Sequence, residues 1–90
     1  MPKYVIEREM PEVGKATIEQ LREGSAKSNM VVADLGPEIR WLESFITDDK
    51  VYCVFVAASE DVLMEHARCA GVPADRISKV VNVTDPSWGE

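Results

Sequence analysis

The 90-residue sequence has little of several residue types on which common functions depend. It contains one histidine, two cysteines, and 10 Lys+Arg against 16 Asp+Glu, which gives a formal net charge of −6. A protein that neutralises nucleic-acid phosphates needs a basic face, so this balance disfavours nucleic-acid binding. There is no Gly-rich phosphate loop of the GxGxxG or GxxxxGKS kind. No run approaches the roughly 20 apolar residues of a membrane helix.

The low cysteine count and the acidic N-terminal segment predict a cytoplasmic protein. Cys53 and Cys69 fall far short of a disulfide scaffold, which favours reduced thiols in a cytoplasm. The first nine residues carry acids where a signal peptide needs an apolar stretch. Hydrophobic residues make up 46% of the chain, enough for one core and too many for a disordered segment. We therefore expect one soluble, cytoplasmic domain over residues 1–90, with an irregular tail from about residue 85.

Hydrophobic periodicity and helix-end signals predict six elements in the order β-α-β-β-α-β. Thr17, followed three residues later by glutamine, predicts a capping box, and Ser59 is the expected N-cap of the second helix. Gly36 and Gly71 are expected to end the helices in the left-handed cap conformation. The predicted strands are Lys3–Glu9, Ile39–Thr47, Lys50–Ala58 and Ile77–Thr84, and the predicted helices run from Thr17 to about Leu35 and from Glu60 to Ala70. This order predicts an α+β, ferredoxin-like fold, with an antiparallel sheet and both helices on one face.

The strand Lys50–Ala58 is apolar at odd and even positions alike, which predicts that both its faces are covered. Apolar residues also occupy both faces of the preceding strand, Trp41 and Phe45 on one and Leu42 and Ile46 on the other. The helices can cover only one side of the sheet. A second copy of the sheet is the simplest cover for the other side, and a tail carrying Trp88 that folds back is the alternative. We therefore expect a homodimer that packs through the sheet faces.

Three polar residues fall on the apolar arcs of the predicted helices. At about 100° per residue, His66 lies in the middle of the second helix's arc, and Ser25 and Ser28 lie in the first helix's arc. The remaining arc residues are Ile18, Leu21, Val32 and Leu35 of the first helix and Val62, Leu63, Ala67 and Ala70 of the second. Polar groups aimed at a core need hydrogen-bond partners. With Gly24, the two serines leave room for a small pocket between helix and sheet.

The candidate catalytic residues are His66 and Cys53. His66 could act as a general acid or base because its ordinary pKa lies near neutrality, and Cys53 on the sheet could be a nucleophile beside it. The alternative is a core histidine bonded to a carbonyl, a serine or Tyr52, and a cysteine that acts as an inert small hydrophobe. In the catalytic interpretation the pocket is lined by Ser25, Ser28, Trp41 and Tyr52.

His66 and Cys69 are the candidate metal ligands. Their His-x-x-Cys spacing places an imidazole and a thiol one helical turn apart, which could supply two ligands to a transition metal. The spacing alone is a weak signal, because no CxxC, HxxxH or second histidine completes a site.

Three segments together make the chain resemble a known family. They are Lys3–Arg8, Thr47–Val54, and Glu65–Arg68 followed by Gly71–Ile77. The sequence resembles a family of short bacterial domains of unknown function with a ferredoxin-like fold, of which one group is described as nickel-binding. The resemblance implies a homodimer packed through the sheets, like that of dimeric α/β-barrel proteins. It implies no known enzyme activity, and it makes Ni²⁺ the first cofactor to test.

Two functions therefore compete. The leading hypothesis is a small, non-catalytic dimeric domain that binds a divalent metal, nickel first, or a small ligand. The alternative is a cofactor-independent dimeric α/β-barrel enzyme, monooxygenase-like or isomerase-like, in which His66 shuttles a proton. In a third interpretation the protein is a structural or regulatory dimer, and these residues only satisfy one another's hydrogen bonds.

Overall fold

A computed structural model describes all 90 residues of the chain. Its strands and helices follow the predicted order. They are β1 (Lys3–Glu9), α1 (Ile18–Leu35), β2 (Ile39–Ile46), β3 (Lys50–Ala57), α2 (Glu60–Ala70) and β4 (Arg76–Lys79), with short 3-10 helices at Val13–Lys15 and Pro86–Gly89. Neither helix is long and apolar enough to cross a bilayer.

The four strands form one antiparallel sheet in the order β2-β3-β1-β4. The adjacent strands β1 and β3 occupy its centre. In sequence, α1 connects β1 to the edge strand β2, a hairpin connects β2 to β3, and α2 connects β3 to the edge strand β4. Both helices pack on the same face of this sheet. The predicted α+β, ferredoxin-like fold is therefore confirmed.

The core lies between the helices and one face of the central strands. Burial alternates strictly along β1 and β3, so that every second residue points toward the helices. The largest fully buried apolar side chains are Phe55, Ile6 and Leu63, which join the two central strands to α2. The helix-facing set comprises Tyr4, Ile6 and Arg8 of β1 and Val51, Cys53, Phe55 and Ala57 of β3. Arg8 is the one charged residue in this set.

The helix ends follow local chemistry with two corrections. Thr17 forms the predicted capping box, in which its hydroxyl accepts from the Gln20 N–H and the Gln20 side chain accepts from the Thr17 N–H. Gly71 ends α2 in the left-handed conformation, with φ 70°. Gly36, by contrast, has φ −58° and needs no glycine-specific conformation. Ser59 occupies the N-cap of α2, but its side chain makes no capping hydrogen bond.

The last strand is shorter than the predicted Ile77–Thr84 and ends at Lys79. It pairs antiparallel with β1, with Lys79 opposite Tyr4, and the final ladder bond runs from the Val80 N–H to the Lys3 carbonyl. Beyond that point β1 has no further residues with which to pair, so a β-favouring sequence alone cannot continue the strand.

A β-bulge in β2 overturns the predicted faces of that strand. Trp41 pairs with Phe55 and Glu43 pairs with Val54, which leaves Leu42 as an extra residue. The alternation therefore inverts after the bulge. Trp41 and Ile46 share the helix-facing side, whereas Phe45 lies on the opposite face beside Tyr52.

The two helices are buried to different extents. Leu63, His66, Ala67 and Ala70 of α2 are buried, as the apolar arc predicts. No residue of α1 is buried, and Ile18, which was expected on its inner arc, is 66% exposed. The middle of α1 thus stands off the sheet, and a cavity lies beneath it.

The second face of the sheet has no helix over it. Tyr52, Val54 and Val56 of β3 are half-buried there, and Phe45 is 54% exposed. Residues 81–90 are all exposed, and Trp88 is 65% exposed. The C-terminal tail therefore does not bury its tryptophan on this face, and the self-covering alternative is wrong. We call this surface the open face.

Candidate functional site

A cavity of about 170 Å³ lies between the helices and the sheet. Small residues on the helices create it, because Gly24, Ser25 and Ser28 of α1 and Ala70 of α2 leave unfilled space above the large side chains of the sheet. A Cβ placed on Gly24 would meet no atom within 4 Å. The floor is formed by alternate residues of β2 and β3, among them Trp41, Cys53 and Phe55.

His66 enters the cavity wall from α2 and is 2% exposed. Its Nε2 and the Ser28 Oγ are joined by a hydrogen bond of 2.9 Å, which links the two helices. The ring also packs against Phe55, with the ring centroids 5.0 Å apart. Its Nδ1 is buried without any hydrogen-bond partner. One ring nitrogen thus keeps an unfilled hydrogen-bonding capacity.

The protonation of His66 is set by its surroundings. Burial, reinforced by the positive charge of Arg8, lowers the pKa of His66 from 6.5 to about 4. The imidazole is therefore neutral at physiological pH. It can accept a proton but is not charged to donate one, which weakens the general-acid role expected from the sequence.

Arg8 is the site residue that the sequence interpretation missed. Its side chain lines the cavity from β1 and is 3% exposed. Its Nε donates to the Cys53 Sγ at 3.4 Å and its Nη1 donates to the Pro73 carbonyl. The alternation of β1 places Arg8 on the same face as Tyr4 and Ile6, but the sequence does not show which face meets the helices, since Val5 on the other face is also apolar.

Cys53 lies at the centre of a polar chain across the floor. The Trp41 indole donates to the Ser44 Oγ at 2.9 Å, and the Ser44 hydroxyl donates to the Cys53 Sγ at 3.1 Å. Arg8 donates to the same sulfur from the other side. Cys53 and His66 share the cavity, but no hydrogen bond joins them, so these two residues do not form a nucleophile–base pair.

The structure brings most of the predicted site residues together. Ser25, Ser28, Trp41, Cys53 and His66 all line the cavity. Tyr52 does not, because it alternates with Val51 and Cys53 and therefore points to the open face. The sequence interpretation failed here because the phase of a strand that is apolar on both sides is not visible in its composition.

The two candidate metal ligands do not form a site. His66 is buried, whereas Cys69 is exposed and its thiol donates to the Glu65 carboxylate. That carboxylate raises the pKa of the Cys69 thiol, which disfavours the thiolate that a metal needs. No group of three or more His, Cys, Asp or Glu side chains is placed to hold a metal ion. The residues of a single chain therefore do not form a nickel site.

Comparison with known proteins gives a family and a fold. The model of the family described as "Nickel responsive protein SCO4226-like" matches residues 4–80. A crystal structure of SCO4226 from Streptomyces coelicolor A3(2) superposes with a TM-score of 0.77 at 18% identity, covering 91% of this chain and 99% of that chain. No curated protein matches the chain. Since the family match spans most of the 90 residues, the chain belongs to the SCO4226-like family of nickel responsive proteins.

Proposed function

We propose that this protein is a non-catalytic module that binds a small organic molecule in the cavity between its helices and its sheet. The observation that carries the proposal is the unfilled space beneath α1, about 170 Å³, which is lined by the buried polar side chains of Arg8 and His66 and by the half-buried Ser28 and Ser44. A well-packed domain has few voids larger than a water molecule. An apolar cavity of about 150 Å³ is large enough to bind benzene.

The lining supports binding more than catalysis. Phe55, Val51 and Leu21 provide apolar contact, while Ser28, Ser44 and His66 provide hydrogen-bonding groups. Such a mixture of apolar wall and few polar groups is typical of ligand sites. Cys53 is not bonded to His66, and the neutral imidazole is not a poised acid. Ser28 does bond His66 Nε2, but no third group holds His66 Nδ1 to orient the base.

The family description refers to nickel, and this chain offers that metal no set of ligands. The proposal therefore attributes the function of this chain to its cavity. Replacement of His66 by alanine is accordingly expected to leave the amount of nickel retained by the protein unchanged.

The experiment reduces the cavity volume by a substitution on α1 that places a larger side chain in it. Ser25→Leu places a larger side chain into the space, whereas Ala26→Leu on the exposed side of the same helix is the matched control. Benzyl alcohol serves as a neutral single-ring probe, and the indole N–H signal of Trp41 in ¹H–¹⁵N NMR is the readout. The Trp88 signal is the internal reference, because that ring lies on the exposed tail.

We expect saturable shifts of the Trp41 signal in the native chain and in Ala26→Leu, and none in Ser25→Leu. The Trp88 signal should not move in any of the three proteins. Absence of saturable shifts in the native chain at millimolar probe, or equal shifts in Ser25→Leu, would overturn the proposal.

A further inference from the structure

Arg8 is a buried cation without a counter-ion. It is 3% exposed, and its two acceptors are the sulfur of Cys53 and the backbone carbonyl of Pro73, so that no carboxylate contacts it. The ion pairs of the chain involve other cations, namely Lys15 with Glu12, Lys50 with Glu7 and Glu9, and Arg68 with Glu65. Burial of a charge without a partner is costly. A guanidinium has five N–H donors, and three of those on Arg8 have no protein acceptor.

The rest of the cavity also lacks negative charge. The chain has 16 acidic residues and 10 basic ones, yet no aspartate or glutamate lines the cavity, whereas Arg8 and Lys27 do. The acids nearest to Arg8 in sequence, Glu7 and Glu9, point to the other face of β1, where they pair with Lys50. β1 thus directs Arg8 toward the cavity, and it directs Glu7 and Glu9 toward the opposite face of the sheet.

His66 adds no compensating charge, and it has spare hydrogen-bonding capacity. The imidazole is neutral at physiological pH because burial and the positive charge of Arg8 lower its pKa to about 4. Its Nδ1 is buried without a partner. The cavity therefore combines one uncompensated positive charge with unused polar groups.

Size and wall chemistry limit the rest of the ligand. A volume of about 170 Å³ is below the roughly 300 Å³ at which drug-sized sites begin. It admits one six-membered ring or a short aliphatic chain with a small polar group. The apolar part of the lining includes Met10, Leu21, Ile46, Val51, Phe55 and Val72.

We propose that the cavity binds a small organic monocarboxylate, with the carboxylate on the free N–H groups of Arg8 and the apolar body against Phe55 and Leu21. Planar guanidinium and carboxylate groups match in geometry, and a charge-assisted hydrogen bond is about twice as strong as a neutral one. This inference rests on the proposed function, since it names the chemical class of ligand for the same cavity.

The test compares three probes of one shape that differ in charge. They are benzoate, benzyl alcohol and benzylammonium, titrated against the native chain and followed by the Trp41 indole signal. We expect benzoate to bind at least about tenfold more tightly than benzyl alcohol, and benzylammonium to bind more weakly than both. Equal affinity for benzoate and benzyl alcohol overturns the carboxylate inference and leaves the proposed function standing. Absence of binding by all three probes overturns both.

The Arg8→Met variant tests whether the tighter binding of benzoate depends on the Arg8 side chain. It replaces the guanidinium by an apolar chain of similar length, and Arg22→Met on the exposed face of α1 is the matched control. We expect Arg8→Met to lose the benzoate preference while it keeps benzyl alcohol binding, and Arg22→Met to retain the preference. A preference that survives Arg8→Met contradicts the assignment. Benzoate-induced shifts of the Arg8 side-chain N–H signals in the native chain give the same decision if the variant does not fold.

Discussion

Arg8 and His66 are two buried polar residues whose burial has different consequences. The guanidinium stays charged, whereas the imidazole is held neutral by burial and by the charge of Arg8. Because the pKa of His66 is lower in the folded state than in the unfolded state, the free energy of unfolding depends on pH.

The pH dependence of stability follows from His66. Its pKa is about 4 in the folded state against an ordinary 6.5, so the unfolded state binds the proton more tightly. Above pH 6.5 the histidine is neutral in both states, and its titration does not lower the free energy of unfolding. As the pH falls from 6.5 toward 4, protonation of the unfolded state lowers the free energy of unfolding by about 3 kcal/mol. We expect urea unfolding at these two pH values to show a smaller loss for His66→Gln than for the native chain. Equal losses in the two proteins would show that His66 does not titrate in this way.

The candidate site could be predicted from single residues only in part. Ser25, Ser28 and His66 were visible because a polar residue on an apolar helical arc is conspicuous in sequence. Arg8 was not singled out, because an arginine near the end of a strand is ordinarily a surface residue. Its inward position depends on the phase of β1, which the packing of the helices decides.

At the level of elements, local signals predicted where segments begin but not always how strands pair. The capping box at Thr17 and the left-handed Gly71 depend on neighbouring residues, and both appear as expected. The end of β4 and the bulge at Leu42 depend on a partner strand. A one-residue insertion inverts every later side chain of β2, and the sequence alternation alone does not reveal it.

The open face is the element-level feature on which the dimer proposal depends. Val54 lies at its middle, between Val5 of β1 and Glu43 of β2. Half-buried apolar residues on an uncovered sheet face support packing against a second copy of the same face.

Val54→Lys should therefore convert a dimer to a monomer. We expect sedimentation velocity to give twice the 10.0 kDa chain mass for the native protein and the single chain mass for the variant. Met64→Lys, on the exposed side of α2, should remain dimeric. A native chain that sediments at 10.0 kDa at all concentrations would contradict the proposal.

For the whole molecule, the unequal distribution of charge links fold and function. A chain of net charge −6 places no acid in the lining of its cavity, where the charged residues are Arg8 and Lys27. The composition disfavoured nucleic-acid binding, and it could not predict a cavity lined by cations. That property arises only when β1, β3 and the two helices come together.

Binding of a small carboxylate in this cavity can be observed directly in a crystal structure of the protein soaked with 4-bromobenzoate. Anomalous scattering locates the bromine without dependence on a fitted ligand. We expect a bromine peak beneath α1, among the apolar residues that include Leu21 and Phe55, with the carboxylate within hydrogen-bond distance of Arg8. A cavity without bromine, in crystals that carry it only on the surface, would contradict the account.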